Sequence, residues 1–435
     1  MPKITFIGAG STVFAKNVLG DSMCVPALEA SEIALYDIDA ARLNESRTML
    51  EAINRNKSGK AQIKSYLGVE QRKEALRGAD YVINAIQVGG YDPCTIIDFE
   101  VPKKFGLRQT IADTLGIGGI FRGLRTIPVM LGVAADMQEV CPNAWLLNYT
   151  NPMAIITGAL LRMTDIKTVG LCHSVQDCAE QLLKGLDMSY DEQVQWKIAG
   201  INHQAWLLEV TKDGKDLYPE IKARAAAKEG KHDDMVRYEL MKRFGYYVTE
   251  SSEHTAEYTP YFIKAKYPEL IDRYNIPLDE YPRRCIEQIK DWEKRKEELT
   301  KDPNLTHERT NEYASYIMEA METNTLCKIG GNVLNQGLIS NLPADACVEV
   351  PCLVDKSGIA PCMVGALPQQ CAALNRTNIN VQLMTIEAAR TLKKDCIYQA
   401  AMLDPHTAAE LSIDDIVALC DALIDAHGDW LPRFH

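Results

Sequence analysis

The chain has no apolar run approaching the ~18 consecutive residues a membrane helix needs, so no membrane partner is expected. It has no long basic run. Lys and Arg number 47 against 59 Asp and Glu, a net charge of −12. The phosphate-neutralising footprint of a nucleic-acid binder is therefore missing, although local charge could still hold an anionic cofactor. No C-x-x-C pair occurs, and the 13 cysteines are odd in number and irregularly spaced. In a chain this long they read as reduced thiols of a cytoplasmic protein. The N-terminus agrees, since the first strand begins at about Lys3 and reaches a glycine turn at Gly8, which leaves no room for a leader. Internal repeats and low-complexity segments are absent too. What is present is ordinary for a globular chain, with 46% hydrophobic and 24% charged residues. A length of 435 residues suggests two to four domains, or one large α/β domain with an elaboration.

Lys3–Ile7 is a β-rich run that ends in Gly8-Ala9-Gly10-Ser11-Thr12-Val13, and a helical pattern follows over 14–23. Strand, glycine turn and helix is the context that gives G-x-G a meaning. Gly8 allows the sharp turn, and Gly10 lets backbone amides approach a pyrophosphate at the helix N-terminus. Val13 stands where a third glycine is usual. The next strand, 32–37, closes on Asp37, where a ribose diol is held in dinucleotide folds. A carboxylate there favours NAD over NADP. The plainer reading is that Asp37 or Asp39 caps the helix over 40–53.

Strands at 62–67, 81–86, 145–147 and 167–171 alternate with helices at 71–77, 123–140 and 152–162. The alternation predicts an α/β fold with an N-terminal Rossmann-like, doubly wound parallel sheet. Past about 195 the pattern changes. Strands at 194–199 and 205–210 flank Gly200-Ile201-Asn202-His203, and helices follow over 217–243 and 279–299. Residues 326–364 are β-rich, and 380–402 and 413–426 close the chain as helices. We expect an NAD-binding domain over 1–195 and an intimately packed α+β domain over 196–435, which carries substrate, metal and oligomer contacts.

In parallel sheets ligands gather at the carboxyl ends of strands. Cys172 and His173 sit at one such end, and His203 lies in the hairpin turn. A thiolate and an imidazole there could hold a divalent metal and leave positions open for substrate hydroxyls. The commoner alternative is a buried Cys beside a hydrogen-bonded core His. Asn148-Tyr149-Thr150-Asn151-Pro152 could bind a ribose or sugar hydroxyl, or merely cap a helix. Residues 110–119 look too polar and glycine-rich for a core element. They read as a loop folded over a ligand near Arg122 and Arg125, or as a long connection whose arginines pair at the surface. Gln87–Gly90 closes a strand where a nicotinamide-side loop would lie. The run 249–258 is dense in hydroxyl, acid and imidazole groups, with Tyr246, Tyr247, Tyr258 and Tyr261 around it. A tyrosinate there could serve as a base, though such tyrosines usually pack a domain face. His232, His307, His406, His427 and His435 are given no functional role.

Read in order, GAGSTVF, ALYDID, QVGGY, TIADTLGIGGIFRGLRTIP, NYTNPM, GLCHSV and GINHQAW resemble the NAD- and manganese-dependent family 4 glycoside hydrolases. The likeness continues through VTESSEHTAEY, PLDEYPRRC, NVLNQGLISNLP and DPHTAAELS to AHGDWLP, and so spans the chain. Within the family it is nearest to the bacterial α-galactosidase branch, which implies a melibiose-like terminal α-galactoside as substrate. Such NAD-dependent glycosidases depart from the two-carboxylate scheme. The implied chemistry oxidises the sugar at C3, removes the acidified C2 proton, eliminates the C1 oxygen, adds water and returns the hydride.

The resemblance also implies roles. Cys172 and His203 match the metal ligands, with Mn²⁺ the ion. His173 matches the general acid, and a His there points to an unphosphorylated sugar. Asn151 matches a substrate-binding Asn, and Asp113 the acid that raises the basicity of a catalytic tyrosine. Gly8, Gly10, Ser11, Thr12 and Asp37 match NAD contacts, and Asn148 is placed with them. The base is read as Tyr258, with Tyr247 or Glu253 as alternatives, and Arg283 or Arg284 as a substrate contact. A homodimer or homotetramer is expected. Competing readings are an α-glucosidase or α-galacturonidase of the same family, a 2-hydroxyacid dehydrogenase, and an NAD-binding regulator without turnover.

Overall fold

In the computed structural model, which describes residues 1–435, the first half alternates strand and helix. The order is β1 (Lys3–Ile7), α1 (Val13–Met23), β2 (Glu32–Asp37), α2 (Ala40–Asn56), β3 (Gln62–Leu67), α3 (Val69–Leu76) and β4 (Tyr81–Asn84). Then come α4 (Ile96–Lys104), α5 (Gly116–Val140), β5 (Trp145–Asn148), α6 (Met153–Met163), β6 (Lys167–Leu171) and α7 (His173–Gly185). The strands lie in the order β3-β2-β1-β4-β5-β6, all parallel, which is the dinucleotide-binding arrangement. Apart from the edge strand β3, their central residues are buried and mostly apolar, as a sheet covered by helices on each side requires.

The second half opens with the hairpin β7 (Val194–Ile201) and β8 (Gln204–Lys212), followed by β9 (Lys215–Asp216), α8 (Tyr218–Ala227), α9 (Met235–Phe244) and β10 (Tyr247–Val248). Helices α10 (Ser252–Glu257), α11 (Glu269–Arg273), α12 (Glu280–Lys301) and α13 (Tyr313–Thr323) precede β11 (Cys327–Leu334), β12 (Cys347–Asp355) and β13 (Gly358–Pro361). The chain closes with α14 (Gln369–Thr391), α15 (Lys394–Leu403), α16 (Pro405–Glu410) and α17 (Ile413–His427). These strands do not form a separate sheet. β11 pairs antiparallel with β6, and β12, β7, β8 and β10 follow outward, so 13 strands share one sheet. Strand β7 runs through residue 195, where the composition shifts. One core of 47 buried residues unites Ile4 and Phe6 of β1 with Ile329, Val348 and Leu374 of the second half.

Two helices differ from expectation. The last long helix begins at Gln369 and breaks at Leu392, a left-handed residue at its C-cap, so 380–402 is not one helix. The other is α5, which starts at Gly116 instead of 123. It is long and apolar enough to cross a membrane by length and composition alone. Yet 16 of its 25 residues are buried against its own protein, among α3, α6 and α14. It is a core helix, and it carries Arg122 and Arg125 inward.

Candidate active site

The glycine turn forms as its sequence requires. Gly8 takes φ +89°, and a Cβ there would lie 2.7 Å from the Ala85 carbonyl oxygen. A Cβ on Gly10 would lie 2.8 Å from Asp37 Oδ2. Gly10 N donates to that carboxylate at 2.5 Å, which ties the turn to the end of β2. Asp39, not Asp37, caps α2, accepting from the amides of Ala41 and Arg42. Ser11 Oγ is buried without a protein partner, and Thr12 sits at φ 22° just before α1. A small-residue cradle, an orphaned hydroxyl and a helix N-terminus suit a pyrophosphate.

Asn148 behaves differently from the expectation of a cofactor contact. Its side chain is fully buried and consumed within the protein, accepting from Asn84 Nδ2 at 2.8 Å and donating to Thr157 Oγ1 at 3.1 Å. It orders the turn that presents Asn151. Across the crevice, the loop after β4 is pinned by Arg125, whose Nε donates to the Val88 carbonyl at 3.1 Å.

The metal candidates do converge. Cys172 closes β6, and His203 sits at φ 61° in the β7–β8 turn. Cys172 Sγ and His203 Nε2 are 3.3 Å apart. Glu250, at φ 68° after β10, brings its carboxylate within 3.5 Å of the same nitrogen. Donor atoms of all three lie within 4.8 Å of one another. Two ligands each about 2.0–2.3 Å from one ion stand roughly 3–4 Å apart, so the Cys–His and His–Glu spacings fit a shared cation. Burial opposes charge on His203, but Glu250 and Cys172 outweigh it and push its pKa up to about 10. The negative charge around one imidazole is what a divalent cation balances. Sequence reasoning missed Glu250 as a ligand. Its place in an acid-rich run was visible, but the run does not show which acid turns toward Cys172.

Around this cluster stand the other expected residues. His203 Nδ1 meets Tyr258 Oη at 3.1 Å, and Tyr258 is almost wholly buried. Burial pushes the Tyr258 phenol well above 10, and the Asp113 and Glu250 carboxylates push the same way. A divalent cation beside His203 opposes that push. Tyr247 is not at the site. Its hydroxyl donates to Asp234 Oδ2 at 2.6 Å within another packed cluster. Glu253 turns away as well, to Arg284.

Asp113 is buried, and its Oδ2 accepts from Asn151 Nδ2 at 3.1 Å while Oδ1 accepts from Thr114 Oγ1 at 2.7 Å. Burial would raise its pKa, yet Arg122 and the His254 and His203 imidazoles hold it below the usual carboxylate range. His173 opens α7 half-exposed, with Nε2 2.7 Å from Glu312 Oε1. That contact raises its pKa against burial.

The stretch 110–119, expected as a loop folded over a ligand or a long connection, is buried throughout. Its polar groups find partners instead of water. Glu257 accepts from the amides of Thr110, Ile111 and Ala112 at 2.7, 3.2 and 3.0 Å. The tightly packed glycines explain the rest, since a Cβ on Gly118 would lie 2.5 Å from the Ala112 carbonyl oxygen. Arg122 and Arg125 are likewise interior, not surface-paired. Arg122 donates to the Asn151 carbonyl and to Tyr281 Oη, both at 3.2 Å.

Comparison with known proteins agrees with this geometry. Residues 3–188 match the family 4 glycosyl hydrolases, and residues 198–407 match the C-terminal domain of the same family. The chain is 65% identical over 435 residues to an α-galactosidase of Bacillus subtilis (strain 168), covering 100% of both chains. It is 35% identical to an α-galactosidase of Rhizobium meliloti (strain 1021), covering 99% of this chain and 89% of that one. The fold matches a crystal structure of a 6-phospho-α-glucosidase from gut microorganisms in complex with NAD and Mn²⁺, with a TM-score of 0.79 and 21% identity over 100% of both chains. The chain belongs to glycosyl hydrolase family 4.

Proposed function

We propose that this family 4 enzyme is an α-galactosidase that hydrolyses terminal α-galactosides with NAD and Mn²⁺ as cofactors. The observation that carries the reading is the Cys172–His203–Glu250 donor set. It stands at the carboxyl ends of a dinucleotide-binding sheet, in a chain 65% identical over its length to an α-galactosidase. The glycine turn, Ser11, Thr12 and Asp37 would hold NAD, and the three donors would hold the metal. When bound, these groups supply reversible oxidation at the sugar's C3 and Lewis acidity toward its oxygen.

The chain's own residues supply the rest. Asp113, fixed beside Arg122, orients the Asn151 amide toward a sugar hydroxyl. Tyr258 Oη is the base that takes the C2 proton. If His203 held the metal through Nε2, its Nδ1–H would be left to donate to Tyr258 Oη, 3.1 Å away, and to stabilise the phenolate. His173 is the acid for the leaving glycosidic oxygen. Its Nε2 is held by Glu312, so Nδ1 is the nitrogen left for that proton.

The 13 free thiols support a reducing, cytoplasmic setting, in which Cys172 stays competent as a ligand. We also place the chain in a homodimer or homotetramer, which light scattering distinguishes.

The test is release of nitrophenol from p-nitrophenyl α-D-galactoside with NAD⁺, Mn²⁺ and a thiol, each omitted in turn. Release that needs both cofactors and builds up no net NADH is expected. Release indifferent to both would overturn the mechanism. Accumulation of NADH with a 2-hydroxyacid would point to a dehydrogenase instead.

A further inference from the structure

Helix α12 enters the site with its first turn. Tyr281 N donates to the Thr110 carbonyl at 3.0 Å, and its hydroxyl meets Arg122. Arg284 lies three residues on, on the same helix face as Tyr281. Opposite stands α10, where Glu253 precedes His254, whose ring is 4.9 Å from His203 and whose Nε2 is 3.9 Å from Asp113. The Glu253 carbonyl accepts from Thr110 Oγ1 at 2.7 Å, so both helices close on the loop that carries Asp113.

Between them Arg284 is bound by two carboxylates. It donates to Glu253 Oε1 and, through Nε at 2.8 Å, to Glu280 Oε1. Glu280 also binds Arg283. Two arginines and two glutamates sum to no net charge. The other cation on this side, Arg122, is buried and held by the Asn151 carbonyl and Tyr281 Oη. Arg283 and Arg284 each have an acid, and Arg122 is engaged by neutral acceptors. A sugar with an uncharged hydroxymethyl group asks for none of them, whereas a sugar carboxylate needs a cation without a partner.

We propose that Glu253, with Glu280, sets the preference for neutral sugars by occupying Arg284. The inference rests on the α-galactosidase reading and names what restricts its substrates. Glu253 acts through Arg284 and the charge it cancels, so it is a specificity-determining residue and not a catalytic one.

The experiment compares kcat/KM for p-nitrophenyl α-D-galactoside and p-nitrophenyl α-D-galacturonide. Glu253→Gln keeps the size and an acceptor for Arg284 but removes one negative charge. The galacturonide-to-galactoside ratio should rise at least about tenfold. Adding Arg284→Met to that variant should abolish the rise. Glu280→Gln removes the other acid and reads the same ratio where Glu253→Gln unfolds, as judged by circular dichroism. An unchanged ratio in a folded variant overturns the inference, as does a gain that survives loss of Arg284. Wild-type enzyme inactive on the galactoside would count against the functional reading itself, whereas an active wild type with an unmoved ratio counts against this inference alone.

Discussion

At Tyr258 and Glu250 the site separates chemistry from positioning. Tyr258 Oη lies 3.1 Å from His203 Nδ1 and is the proposed base. Tyr258→Phe should lower kcat by about 10²–10⁴-fold, the range for loss of a positioned base, with Mn²⁺ affinity changed little. Activity and metal affinity falling together would make Tyr258 a support for His203 only. Glu250 makes the opposite case. Glu250→Gln should weaken Mn²⁺ binding by at least ~10–100-fold, read by electron paramagnetic resonance titration without substrate. Unaltered affinity would reduce Glu250 to a partner of His254, whose Nδ1 lies 3.5 Å from its carboxylate. Cys172 and His203 were legible in the sequence because each follows or interrupts a strand. Glu250 was not, because nothing local distinguishes it from Glu253 and Glu257, which serve Arg284 and three backbone amides instead.

Among the elements, α4, α5 and α17 meet at a buried charge network. Asp98 receives both Arg125 guanidinium nitrogens, at 3.1 and 2.6 Å, and His427 Nε2 at 2.9 Å. Arg125 in turn holds the loop after β4. Asp98→Asn leaves that arginine buried without its counter-charge and should cost about 3–5 kcal/mol in urea unfolding. In β12, Glu349 accepts from Asn332 Nδ2 at 2.9 Å, while its Oε2 is without a partner. Burial pushes its pKa up to about 7, from an ordinary value of 4.5. The folded state thus binds this proton more tightly than the unfolded chain does. The contribution is present below about pH 4.5 and is lost as pH rises to about 7. Wild-type stability relative to Glu349→Gln should fall by roughly 1–3 kcal/mol between pH 5 and pH 8. A difference independent of pH would show that Glu349 does not titrate in this window.

For the whole molecule, the continuous sheet couples the two cofactor sites to one folded unit. The glycine turn follows β1, Cys172 closes β6, and His203 and Glu250 come from beyond it, across the β11–β12–β7 bridge. NAD⁺ and Mn²⁺ should each raise the melting temperature. Saturation at a hundred times the dissociation constant corresponds to about 2.7 kcal/mol. A chelator should remove the metal's share and leave that of NAD⁺. Loss of both shares together would mean that neither group binds without the other.

The sequence by itself determined the alternation that makes a parallel sheet, the glycine turn, the strands β1, β2, β3 and β6, and the candidate ligands Cys172 and His203. These depend on neighbours a few residues apart, where periodicity and turn chemistry act. Only the tertiary structure decided that 110–119 is interior and that α5 begins at Gly116. It also decided that Asn148 faces inward, that Glu250 stands with Cys172 and His203 and that Glu253 turns to Arg284 instead. Each depends on partners far away in the chain: Glu257 for the amides of 110–112, His203 for Glu250, and α12 for Glu253. A polar, glycine-rich stretch reads as a surface loop until something distant satisfies its hydrogen bonds, and no local pattern records that partner.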